Sequence, residues 1–246
     1  MYSRDVSVVI PTLWRSKWTS QLVRKLSEWD RLLEIILIDN NSNHRPPDFP
    51  IENCTVLNFG ENIYVNPAWN AGAKHARGRY LMICNDDIVF EPSSLDGLFD
   101  KINSSTVFGL HSRSFEYSGP LITDDEFYVG FGWGCLMIMK TSNYPGVPND
   151  LRIFRGDDWI AFSHKNRLTF SIPVTGELSA SHKGRFDKIK GRDAELFERY
   201  RRRTVFRFLF KLVDWIGWNK PIQIITRLKN GFLYRLEQNH PIGSVS

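Results

Sequence analysis

Four short apolar runs, each stopped by polar residues or glycine, constrain the fold more than anything else in this chain. They are Ser7-Val8-Val9-Ile10 before Pro11-Thr12, Ile35-Ile36-Leu37-Ile38 before Asp39-Asn40-Asn41-Ser42, Thr55-Val56-Leu57-Asn58-Phe59 before Gly60, and Tyr80-Leu81-Met82-Ile83-Cys84 before Asn85-Asp86-Asp87. A short run that is apolar on both faces suits a strand buried on both sides, and such strands belong to parallel sheets covered by helices. The intervening segments supply those helices. Between Trp14 and Leu33, the residues Trp18, Leu22, Leu26 and Trp29 recur at three- and four-residue steps, and a second helix is expected from about Pro67 to Ala76. The order β-α-β-loop-β-α-β predicts an open α/β sheet, in which ligands bind beyond the carboxyl ends of the strands. Pro11-Thr12, Asp39 and Asn85-Asp86-Asp87 are then expected to share one site.

The regularity declines after about residue 105. Gly130, Gly132 and Gly134 interrupt an aromatic stretch, Cys135 to Met139 is apolar, and Pro145, Gly146 and Pro148 announce a loop before Asp157-Asp158. A strand-like Leu168 to Val174 then leads to Ser181-His182-Lys183-Gly184-Arg185. A chain of 246 residues holds one full α/β domain and a small appendage. Its longest run without a charged residue, Phe127 to Met139, is well short of the roughly 20 apolar residues that cross a bilayer. No signal-peptide core is read at the N-terminus, so a cytoplasmic location is expected. Cys54, Cys84 and Cys135 are too scattered for a redox pair or a zinc set and read as buried free thiols.

The net charge of +5 is unevenly distributed: residues 195–246 carry ten Lys and Arg against four Asp and Glu, while residues 1–194 are almost balanced. This predicts a near-neutral catalytic body over 1–194 and a basic helical tail over 195–246, and argues against a nucleic-acid partner. In the tail, Arg199, Arg203, Arg207 and Lys211 recur every four residues among Phe206, Phe208, Leu209, Phe210 and Trp215. Such a helix docks on the body, pairs with a second copy, or lies peripherally on an anionic membrane surface.

Several chemistries lose their support at once. There is no GxxxxGKS or GxxxxGKT phosphate loop, no GxGxxG after the first strand, no HExxH and no GxSxG. What remains is a set of acids and amides at strand ends, suited to a diphosphate bridged by a hard divalent cation.

The segment Asn62-Ile63-Tyr64-Val65-Asn66-Pro67-Ala68-Trp69-Asn70-Ala71-Gly72 resembles the N-x-G-x-x-x-A-x-N-x-G pattern of family 2 glycosyltransferases of the GT-A type. The resemblance runs on through Ala76 to Asp87, upstream to Val8–Thr12 and Leu37–Ser42, and downstream to Gly134–Lys140, Gly146 and Gly156-Asp157-Asp158, covering about residues 5 to 190. Three positions depart from the pattern. Tyr64 stands at a glycine position, Asn85 at the first position of D-x-D as in rhamnosyltransferase-like members, and Asp157 at the glutamate of a Glu-Asp pair.

The resemblance implies an α/β GT-A fold, Rossmann-like, with a mostly parallel central sheet flanked by helices, followed here by the basic helical tail. It also implies metal-dependent, inverting transfer of a hexosyl or deoxyhexosyl group from a UDP- or dTDP-sugar to a hydroxyl of a glycan or lipid-linked acceptor, as in polysaccharide biosynthesis. On that footing Asp39 accepts the imide N–H of uracil or thymine. Pro11 and Thr12 frame the base, Asn62 is a further nucleotide contact, and Asn85 and Asp86 lie along the ribose and diphosphate. Asp87 coordinates Mn²⁺ or Mg²⁺, with His182 completing the metal site and Lys183 and Arg185 closing over the diphosphate. Asp158 is the favoured general base and Asp157 the second candidate. Trp133 reads either as a platform for a sugar ring or as a packing residue. A nucleotidyltransferase and a non-catalytic nucleotide-sugar-binding assembly subunit remain the competing functions.

Overall fold

A computed structural model describes residues 4–41, 52–124, 133–176 and 186–216, with side chains as far as Arg203. The four apolar runs form β1 (Val6–Thr12), β2 (Leu32–Asp39), β3 (Cys54–Asn58) and β4 (Tyr80–Cys84), with helices α1 (Thr19–Ser27) and α2 (Val65–His75) between them. There follow β5 (Ile88–Phe90), the single turn α3 (Asp96–Phe99), β6 (Thr106–Leu110), β7 (Ile122–Asp124) and β8 (Leu136–Lys140). Then come α4 (Gly156–Phe162), β9 (Asn166–Ser171), β10 (Val174–Gly176) and α5 (Asp187–Ile216).

Eight strands make one sheet in the order β3-β2-β1-β4-β8-β6-β9-β7, and β10 pairs with β5 in a separate ribbon. β1 is parallel to β2 and β4, β2 to β3, and β6 to β9. β8 runs antiparallel to both β4 and β6, so those two point the same way. The carboxyl ends of β1, β2, β4 and β6 therefore share one edge, and β8 begins there. The chain passes from β1 outward to β2 and β3 and then crosses back to β4, which puts the switch point between β1 and β4.

The core lies on both faces, and the two-residue period of the strands assigns each side chain to one of them. Val8, Ile10, Ile35, Leu37, Met82 and Ile138 pack with Leu22, Val23 and Leu26 of α1. Val9, Ile36, Ile38, Leu81, Ile83 and Met137 pack with Ala68 and Trp69 of α2 on the opposite face. Each such aliphatic side chain withdrawn from water contributes about 1.5–3 kcal/mol. At Gly72, a Cβ would collide with the Val9 side chain, so glycine is what lets α2 lie directly on β1.

α1 is shorter than its periodicity suggested. Trp29 lies beyond the helix yet is buried, its indole N–H donating to Asp96 at 3.0 Å and its ring tilted on Phe99. Burial outside the helix thus extends the helical spacing. The cysteines are free, Cys84 buried and Cys54 and Cys135 half-buried.

The chain divides into two compact units, one through Phe197 and the other from Glu198. α5 begins before the charge-based boundary at residue 195, and its backbone continues through the basic four-residue repeat to Ile216. In the second unit Arg201 pairs with Glu198 at 2.8 Å. Among the described residues no helix is long and apolar enough to cross a membrane.

Candidate active site

A cavity of about 500 Å³ opens at the carboxyl edge of the sheet around the β1/β4 switch point. The end of β1 contributes Pro11 and Thr12, and the loop to α1 contributes Arg15 and Lys17. Asn40 enters from the end of β2, Asn62 and Tyr64 from the loop after β3, and Asn85, Asp86 and Asp87 from the end of β4. Ile153 and Phe186 also line it. Six of the expected site residues, Pro11, Thr12, Asn62, Asn85, Asp86 and Asp87, are therefore brought to one cavity. Asp39, Asp157 and Asp158 are not in its wall. His182, Lys183 and Arg185 lie outside the described residues.

Thr12 ties two strand ends together. Its hydroxyl donates to Asp86 Oδ2 at 2.5 Å and accepts the backbone N–H of Trp14 at 2.8 Å, while the Thr19 hydroxyl donates to the Asp86 carbonyl at 3.3 Å. Burial pushes the Asp86 carboxyl above its usual range, and the Thr12 and Thr19 hydroxyls pull it partly back.

Asp39 is 1% exposed and already engaged. Its Oδ1 accepts the Trp14 indole N–H at 2.9 Å and the Asn41 backbone N–H at 2.9 Å, and its Oδ2 accepts the Asn58 amide at 2.7 Å. It organises the loop behind the cavity. Trp14 itself has φ 58°, a left-handed backbone that is uncommon for so large a side chain.

The second acidic pair opens α4. Arg155 precedes the helix at φ 66° and its guanidinium donates to Asp158 Oδ2 at 2.8 Å. Asp158 is 8% exposed, whereas Asp157 retains partial contact with solvent. Asp157 lies against Gly134, where an added Cβ would come within 2.9 Å of its Oδ2. Burial pushes its carboxyl up to about 6, and the neighbouring Asp158 charge adds to the rise. Burial, Asp87 and Asp157 together raise the Cys135 thiol to about 12, so both carboxylates bear on that one side chain. The Asn85 N–H donates to the Cys135 carbonyl at 2.9 Å, which joins the two acidic corners through the backbone. Trp133 is not a sugar platform: it is 1% exposed and packs against Gly109, where a Cβ would collide with its ring.

The spacing of the Asn62–Gly72 segment acquires physical reasons here. The Asn70 amide donates to the Val147 carbonyl at 2.6 Å, and its Oδ1 accepts the Val147 N–H and the Tyr144 hydroxyl, both at 2.8 Å. Asn66 donates from its backbone to the Arg152 carbonyl at 3.0 Å and from its amide to the Phe154 carbonyl at 3.2 Å. α2 thereby holds the loop that leads into the Asp157-Asp158 turn.

Sequence reasoning missed the other half of that clamp. Asp193 of α5 is fully buried, and its carboxylate accepts consecutive backbone N–H groups from Arg152, Ile153 and Phe154 at 2.9–3.2 Å. Nothing in Gly191-Arg192-Asp193 marks it, since a helix carries acids on its solvent face in the same pattern. Arg15 and Lys17 were legible only as basic residues near the first strand.

Among the described residues no three His, Cys, Asp or Glu side chains converge as a metal centre. Asp87 borders the cavity and is the carboxylate there that a hard divalent cation, which needs only one or two from the protein, would use.

A family model described as Glycosyl transferase family 2 matches residues 7–145. No curated protein sequence matches the chain. Among solved structures, TarS 1–349 of S. aureus is similar at 15% identity over 67% of this chain and 57% of that one, with a TM-score of 0.49. The same TarS fragment in complex with UDP-GlcNAc is similar at 14% identity over 67% and 55%, with a TM-score of 0.48. A mannosyltransferase, PcManGT from Pyrobaculum calidifontis, in complex with GDP-Man and Mn²⁺, is similar at 16% identity over 68% and 57%, with a TM-score of 0.47. The chain thus spans a little over half the length of each.

Proposed function

The chain belongs to glycosyl transferase family 2, and from that premise we propose that it moves a hexosyl or deoxyhexosyl group from a UDP- or dTDP-sugar to a hydroxyl of a glycan or lipid-linked acceptor, with inversion, in polysaccharide biosynthesis. The observation that carries this reading is the single cavity shared by Thr12, Asn62, Asn85, Asp86 and Asp87 at the switch point of the sheet.

In the proposed reaction the acceptor oxygen attacks the anomeric carbon, the bond from that carbon to the diphosphate oxygen breaks, and the acceptor proton passes to a carboxylate. Asp157 is the group we assign to that proton, because its carboxyl is pushed up to about 6 and Arg155 engages its neighbour. Asp158 then anchors the turn, and remains the second candidate. Asn85 and Asp86 position the ribose and diphosphate, and Pro11, Asn62 and Asp39 the base. Arg15 and Lys17 close on the phosphates from the loop after β1. Mn²⁺ or Mg²⁺, held by Asp87 with His182 as a further ligand, would offset the charge that develops on the leaving diphosphate. Lys183 and Arg185 would add cations over the same group. Residues 1–194 form the catalytic part in this reading, and the basic tail over 195–246 contacts a second copy or an anionic membrane surface.

A thermal-shift series with UDP, dTDP, GDP and CDP, with and without Mn²⁺, tests the reading on the parent and on Asp87→Ala. One pyrimidine diphosphate is expected to stabilise the parent in a manganese-dependent way and to leave the variant unmoved. At 100 times Kd, binding raises stability by about 2.7 kcal/mol. Indifference of the parent to all four nucleotides removes the reading.

A further inference from the structure

Three non-glycine residues among those described have positive φ, Trp14, Tyr64 and Arg155, and of these Tyr64 lines the cavity. Trp14 bonds Asp39 and Arg155 bonds Asp158, so each has an evident task. Tyr64 is the most unusual of the three. Its φ of 68° with ψ of 179° falls in a region that is essentially reserved for glycine, and glycine is what the resembling pattern carries there.

The surroundings hold Tyr64 in that state. Its N–H donates to Asn62 Oδ1 at 2.8 Å and its carbonyl accepts the Asn40 amide at 3.2 Å. The Arg152 guanidinium stacks over its ring at 4.8 Å and donates to its hydroxyl at 3.4 Å. Arg152 is in turn fixed at its backbone by Asp193 and Asn66. Tyr64 lines the cavity and Arg152 does not.

Position along the sheet edge says what that space receives. With the diphosphate at Asp86 and Asp87 just beyond β4, a nucleoside extends either toward β8 and β6 or toward β1 and β2. The first direction leads to Asp157 and the acceptor. The second leads past Thr12 to Asn40, Asn62 and Tyr64, about two strand spacings or 10 Å away.

We propose that Tyr64, backed by Arg152, is the stacking wall for the nucleobase of the donor and a specificity-determining residue of this site; the inference rests on the nucleotide-sugar reading above. Base–aromatic stacking also explains why a bulky ring is kept where the backbone favours glycine.

The experiment measures affinity for the nucleoside diphosphate that the parent binds, and for pyrophosphate, both with Mn²⁺, by titration calorimetry. Thermal unfolding is followed in the same samples. Tyr64→Gly is expected to bind the nucleotide about tenfold more weakly, to bind pyrophosphate like the parent, and to unfold at the same or a higher temperature because the backbone is relieved. Tyr64→Phe is expected to keep the affinity of the parent. Unchanged nucleotide affinity in Tyr64→Gly overturns the inference while leaving the functional reading intact. An equal loss in Tyr64→Phe also overturns it, by assigning the effect to the hydroxyl and Arg152. A parent that binds none of UDP, dTDP, GDP or CDP brings down the functional reading itself.

Discussion

The molecule carries two pairs of adjacent aspartates at one sheet edge, and each pair is divided differently by its partners. At the end of β4, Asp86 is gripped by the Thr12 hydroxyl while Asp87 borders the cavity. At the start of α4, Asp158 is paired with the Arg155 guanidinium while Asp157 is partly exposed. In both, one acid takes a short side-chain hydrogen bond, but Asp86 and Asp87 border the cavity whereas Asp157 and Asp158 lie outside its wall. The anchors differ in charge, and the proposed division of roles rests on that difference. Hydroxyls orient Asp86 without cancelling its charge, so the β4 pair keeps its attraction for a cation. A guanidinium offsets Asp158, while partial burial and the neighbouring Asp158 charge push the Asp157 carboxyl up to about 6, the range that the proton acceptor proposed here needs.

The largest expected effect breaks the α4 pair asymmetrically. Asp157→Asn should lower transfer by about 10²–10⁴-fold while leaving nucleotide affinity near that of the parent. Asp158→Asn should lower transfer by about fivefold or less through a misplaced turn, because an ion pair with a half-exposed arginine contributes only about 0.2–1 kcal/mol. Radiolabelled sugar transfer in both variants decides between them. If Asp158→Asn suffers the greater loss with donor binding intact, the proton acceptor is Asp158 and the division argued here is reversed.

The pH dependence sharpens the same contrast. Transfer by the parent should rise with pH until about 6, where Asp157 becomes ionised, and level off above it. Stability moves the other way. The folded state holds the Asp157 proton more tightly than the unfolded chain does, so stability falls as pH rises from about 4 to about 6. Asp157→Asn should remove that fall, which urea unfolding at a series of pH values will measure.

The two pairs were also unequally legible in the sequence. Asp86-Asp87 follows directly from an apolar strand, so the rule that ligands gather at carboxyl ends finds it, along with Thr12. Asp157-Asp158 carries no such local signal; its position depends on Asn66, Asn70 and Asp193, which reach it across 77 residues or more in the case of Asn70 and Val147. The two-face core was legible because alternating Val, Ile and Leu encode it directly. Asp193 was not, because a buried acid and a solvated one look alike until the backbone N–H groups that receive it are placed. The full engagement of Asp39 was hidden for a related reason, since it depends on the left-handed turn at Trp14.

The smallest effect tests the neutral anchor. Thr12→Val keeps the shape of the β1 terminus but removes the hydroxyl that donates to Asp86 at 2.5 Å and accepts the Trp14 N–H. A hydrogen bond to a charged group contributes about 1.5–3 kcal/mol, and the 3.5 Å contact from Thr19 is too long to replace it. Asp86 then loses its main support against burial, and its carboxyl is pushed further above its usual range. Nucleotide affinity in the presence of Mn²⁺ should fall by roughly fivefold to tenfold, with the loss growing as pH is lowered. Thr12→Ser restores the hydroxyl and should restore affinity. Calorimetric titration of both variants at pH 6 and pH 8 checks this: a Thr12→Val loss independent of pH would mean that the hydroxyl matters for the loop at Trp14 rather than for the charge on Asp86.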